Sequence, residues 1–191
     1  MLKKEDLYKL EEYSEERNKF KEKVLEVKNN RSVLLGKNIN LLFENLITIK
    51  YQIQEMLRIE KIFEPEAIQE ELDTYNPLIP NGSNLKATML IEYTDVSERR
   101  DWLQKLKGVE KKIWIKIGSN DPIFPYADED LKREDENKTS AVHFLRWELK
   151  KSEIQDFKNG NILSMGVTHA EYNASHIISD IIRSELVKDL F

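Results

Sequence analysis

The chain has 191 residues, a formal net charge of −5, 40% hydrophobic and 34% charged residues, and no cysteine. That length suits one large domain or two small lobes on a shared core, and the apolar share excludes wholesale disorder. The lack of thiols excludes structural disulfides, cysteine catalysis, cysteine-ligated zinc and a cysteine-held iron–sulfur cluster in this chain, and it fits a reducing, cytoplasmic setting.

A mildly acidic chain without a basic run is a poor general binder of nucleic acid. The start, MLKKEDLYKLEEYSEE, is too charged for a secretory signal. No apolar run approaches the roughly 20 residues of a membrane span.

In chain order, residues 5–29 read as one amphipathic helix. Leu7, Leu10, Phe20, Val24 and Val27 recur at helical spacings, with Tyr13 and Arg17 completing the stripe. Such a charged helix packs on its own domain or pairs with a second chain. RSVLLGKNINLLFE (31–44) reads as a β-hairpin turning at Gly36. A helix follows over about 45–62, with Asn45 as N-cap. Pro65 opens another helix that Asn76-Pro77 stops.

NPLIPNGSN (76–84) is the best candidate boundary. Beyond it LKATMLIEY (85–93) and KIWIKIG (112–118) alternate as strands, around a helix near 97–107 that ends at Gly108. Residues 119–138 read as a long loop whose acidic stretch DEDLKREDE (128–136) is solvated and suited to docking a basic partner. Strands are expected over 139–149, 161–169 and 172–178. A short helix is expected from the capping-box pattern SEIQ (152–155), and Ser179 would cap a last helix. The fold class is therefore α+β: N-terminal helices with a hairpin (about 1–80), then an antiparallel or mixed sheet with flanking helices (about 84–191), packed as one compact unit.

The helix YQIQEMLRIEKI (51–62) carries more polar groups than packing alone requires. Glu55 falls at the edge of its apolar stripe. It is either half of a Glu55–Arg58 pair bridging the two lobes or a ligand or acid–base group. His143 and His169 are in phase with the apolar faces of their strands. If they met one another and Glu55 or Glu44, imidazole plus carboxylate would suit zinc or iron. If not, each ring must find its own hydrogen-bond partner. His176 is a weaker candidate. Arg146 alternates with His143 and needs an acceptor, either an internal glutamate or an anionic ligand bound together with Arg58. There is no GxGxxG, Walker A or GxSxG, so standard nucleotide binding and serine hydrolysis rank low, and no cofactor is required.

The strings NLLFENLITIKYQIQEMLRIEKI, EAIQEELDTYNPLIP and KTSAVHFLRW together resemble the bacterial family of unknown function DUF3501, along nearly the whole chain. The resemblance brings no established activity. It points to Glu44, Asn45, Tyr51, Gln52, Glu55, Arg58, Tyr75, Asn76, His143 and Arg146 as residues in the parts that carry the family look. It also implies genetic company with rubrerythrin-like proteins and iron–sulfur oxidoreductases. Two functions follow as expectations. One is an accessory protein that binds a redox or peroxide-defence partner through the seam between lobes and the acidic loop. The other is a small metal-binding protein or metal-dependent enzyme using His143, His169 and Glu55 or Glu44.

Overall fold

A computed structural model describes the whole chain, Met1–Phe191. The chain has six α-helices and eight strands, and the strands form two antiparallel sheets. The hairpin strands β1 (Ser32–Leu35) and β2 (Ile39–Phe43) join β3 (Asn84–Ile91), β6 (Val142–Glu148) and the two-residue β5 (Tyr126–Ala127) in the order β1-β2-β3-β6-β5. Strands β4 (Ile113–Ile117), β7 (Leu163–His169) and β8 (Tyr172–Ile177) form the smaller sheet.

Alternation sends Val33, Leu35, Leu41, Phe43, Leu85, Met89, Leu145 and Trp147 to one face of the large sheet. Ile113, Ile115, Leu163, Met165 and Val167 meet them from the small sheet in a single core of 26 buried residues. At about 25 cal/mol per Å² of apolar surface removed from water, this shared core is the main source of stability.

The helices α1 (Leu10–Asn29), α2 (Leu46–Ile59) and α3 (Pro65–Tyr75) build a second, smaller cluster from Leu2, Ile49, Ile53, Leu57 and Leu72. Helices α4 (Val96–Lys105), α5 (Lys151–Lys158) and α6 (Asp180–Val187) flank the sheets. No helix is long and apolar enough to cross a membrane.

Three expectations need correction. The first helix begins at Leu10 rather than residue 5, after a 3₁₀ turn at Lys4–Asp6. Tyr8 N–H donates to Gln54 Oε1 at 2.6 Å, and Asn76 takes both backbone groups of Leu2, so tertiary bonds hold the N-terminal segment outside the helix. The α5 cap lies two residues earlier than the SEIQ pattern implies, with the Glu153 carboxylate accepting from Lys150 N–H at 2.7 Å.

The third concerns the acidic stretch, which is irregular and largely exposed as expected but tied down at its N-terminal end. Asp128 accepts from Phe144 N–H at 3.0 Å, Arg133 pairs with Asp128 and Asp130, and Arg146 forks onto Glu129 with both bonds at 2.8 Å. Asp128, Glu129 and Asp130 are thus engaged with arginines, while Glu134 and Asp135 accept only backbone N–H groups and Glu136 stays exposed.

Candidate functional site

The chain leaves β2 at Phe43 and enters α2 at Leu46, and the two residues between them set up the site. Glu44 N–H donates to the Lys86 carbonyl at 2.9 Å and extends the β2–β3 ladder by one residue. Asn45 then caps α2: its Oδ1 accepts from the N–H groups of Ile47 and Thr48, both at 3.0 Å, while Thr48 Oγ1 accepts from Asn45 N–H at 3.0 Å. The reciprocal cap positions the Thr48 hydroxyl to donate to Glu44 Oε2 at 2.5 Å. Thr88, from β3, donates to Oε1 at 2.6 Å. Glu44 is 7% exposed and is gripped from the helix and from the sheet, at the positive end of α2.

This carboxylate lines a cleft of about 230 Å³ between the helical layer and the outward face of the large sheet. Strand register explains the sheet wall. Leu42 pairs with Thr88 and Thr88 with Phe144, giving one row across β2, β3 and β6. Ile49 and Gln52 from α2, Tyr75 at the end of α3, Leu78 just beyond it, and Lys28 from α1 complete the lining. The side-chain polar atoms of Gln52 and Tyr75 are bound to no other protein group, so they remain available within the cleft.

Glu44, Gln52 and Tyr75 are thus brought together, with Asn45 as their cap. The other candidates lie elsewhere. Glu55 faces α1, not the sheet: it accepts from Tyr13 Oη at 2.7 Å and from Arg17 at 2.8 and 2.9 Å, while Arg58 reaches it at 3.2 Å from a more exposed position. The bridge between lobes expected of Glu55–Arg58 is a helix-to-helix clamp, because α1 covers that side of α2. The Arg17 hydrogen bonds, with those of Tyr13 and Arg58 behind them, hold the Glu55 carboxyl down from 4.5 to about 2. Burial and the same charge push the Tyr13 phenol up, and burial with a smaller contribution from Glu55 does so for Tyr51. Tyr51 packs edge-on against Phe20. Asn76 fastens the backbone of Leu2 at 2.8 and 2.9 Å.

The histidines and Glu55 do not converge. His143 is fully buried on β6, with Nδ1 at 2.6 Å from Asp128 Oδ2 and Nε2 at 3.0 Å from the Thr139 hydroxyl. This hydroxyl–imidazole–carboxylate chain has the connectivity of a nucleophilic triad. Thr139, however, is 1% exposed, so no substrate reaches it, and the chain serves to fasten the loop around Asp128 to β6. His169, at the end of β7 in the other sheet, donates to the Lys107 carbonyl at 3.1 Å and accepts from Glu171 N–H at 3.2 Å. His176 is exposed on β8. No group of three or more histidine, aspartate or glutamate side chains is placed to hold a metal ion. Arg146 has its internal acceptors in Glu129 and Glu148 and stacks over the Tyr126 ring.

Sequence reading overlooked Lys28, Thr48 and Thr88. The Glu44–Thr48 spacing of four was a visible signal; the pairing of Thr88 with Leu42 was not, since it depends on register. Arg31 was also overlooked. It is 1% exposed and donates to the carbonyls of Phe43, Glu44 and Glu185 and to Asp189, which fastens the C-terminal helix behind the site.

No curated protein matches the chain. Among solved structures it is similar to the crystal structure of a novel protein of unknown function from Burkholderia pseudomallei K96243, with 43% identity, a TM-score of 0.95, and coverage of 100% of this chain and 99% of that one. The model of the family described as "Protein of unknown function (DUF3501)" matches residues 1–190, and the chain belongs to that family.

Proposed function

We propose that the chain is an accessory binding protein whose working site is the seam cleft around Glu44. One observation carries this reading: a nearly buried carboxylate, held by hydroxyls from a helix and a strand, lines an otherwise largely apolar cleft beside the unspent polar groups of Gln52 and Tyr75. A few fixed polar groups in an apolar concavity are the usual build of a binding site. The acidic loop is the weaker docking surface because Asp128, Glu129 and Asp130 are already engaged with arginines of the same chain.

The family resemblance supplies the class of partner, a rubrerythrin-like protein or an iron–sulfur oxidoreductase of a redox or peroxide-defence system. Titration calorimetry of the chain against each purified candidate tests the reading. Saturable binding that Glu44→Gln abolishes and Glu129→Gln preserves supports it. Absence of binding to both candidates, or binding indifferent to Glu44→Gln, overturns it.

A further inference from the structure

We propose that the seam cleft takes an alkylammonium group, supplied by a lysine side chain of the partner protein. This rests on the reading of the cleft as the working site and names what enters it.

Buried carboxylates are normally paired with a cation. Glu44 is not: its oxygens receive only the hydroxyls of Thr48 and Thr88. The nearby Arg31 guanidinium takes the backbone carbonyl of Glu44 and spends its charge on Asp189. Lys28, at the rim, has its ammonium 5.8 Å above the Tyr51 ring. The cleft therefore presents a carboxylate with no direct ion pair to a cationic side chain of the protein.

Its walls suit an aliphatic stem. Leu42, Ile49, Leu78, Val142 and Phe144 would cover methylenes while the charged head reaches the carboxylate. A volume of about 230 Å³ falls below the ~300–1,000 Å³ of sites for drug-sized ligands, so a single side chain fits where a nucleotide or flavin does not. Each carboxylate oxygen already accepts one hydroxyl. A bidentate guanidinium fork needs a suitably directed free lone pair on each oxygen, whereas a compact ammonium needs one on a single oxygen.

The test uses two probes on the full chain, N-acetyl-lysine methylamide and its norleucine counterpart, which has the same stem without the ammonium. Binding is followed by amide NMR. The lysine probe is expected to shift Thr48 and Thr88 saturably at millimolar concentration, and the norleucine probe to bind at least about tenfold more weakly. Glu44→Gln should abolish the preference. Val142→Arg, at the 36% exposed wall, should block the cleft with its own cation while leaving Glu44 untouched, which keeps the test open if Glu44→Gln fails to fold. Equal binding of both probes, or no shift at either threonine, overturns the proposal.

The two readings fail separately. Partner binding that needs Glu44 while the lysine probe does not bind refutes the ammonium proposal alone. A lysine probe that binds while neither partner does supports the ammonium chemistry and refutes the accessory role. Tighter binding of free cadaverine than of the lysine probe assigns the site to a small diamine and overturns the partner's lysine as its source.

Discussion

Replacing Glu55 by glutamine removes the charge from the clamp between α1 and α2 while keeping its shape. The magnitude follows from the carboxyl's displacement from 4.5 to about 2. At 1.36 kcal/mol per unit this sets a ceiling of about 3 kcal/mol. Arg17 and Arg58 are 29% and 41% exposed, so solvent screens the pair, and about 1–2 kcal/mol is the expected loss at neutral pH. The sign is that of a depressed acid. The stabilisation is fully present above 4.5 and is lost as pH falls through about 2, so by about pH 3 more than half has gone. Urea unfolding of the wild type and Glu55→Gln from pH 7 downward measures this directly, since the slope with denaturant should be equal in the two proteins. The stability difference should shrink steadily below about pH 4.5. A difference that stays constant across the acid range, or none at neutral pH, would refute the clamp.

Asn45→Ala removes the cap of α2 and should cost about 1 kcal/mol in urea unfolding, with Asn45→Ser restoring most of it. Arg31→Met leaves Asp189 and three carbonyls without their donor and should cost about 3–5 kcal/mol. Burial already pushes the Asp189 carboxyl above its ordinary value, and loss of the guanidinium should push it further, visible by carboxyl NMR titration. Neutralising Asp128, Glu129 and Asp130 together should lower thermal stability by at least about 2 kcal/mol, because these carboxylates hold His143, Arg133 and Arg146 in place. An unchanged melting temperature would instead return the stretch to the status of a free acidic loop.

Much of the local structure was legible in the order of residues. The hairpin turning at Gly36, the cap at Asn45, the helix opening at Pro65 and the α+β succession all rest on contacts within a few residues, where periodicity and capping chemistry act directly. The inward phase of His143 was legible for the same reason, since strand alternation has a period of two.

The partners were not legible. Glu55 sits at the edge of an amphipathic stripe whichever element covers that edge, and only the packing of α1 made it a clamp. His143 and His169 share a phase but belong to different sheets, and sheet membership is decided by which strands pair, at separations no local pattern records. Glu44 looked like one more residue of a polar signature. Its role came from Thr88, 44 positions away in sequence, brought beside it by the β2–β3 register. Backbone propensity and short-range hydrogen bonds determine where elements begin and end; which charges meet, and which one remains unpaired in a cleft, is settled only when long-range strand pairing and helix packing bring distant side chains together.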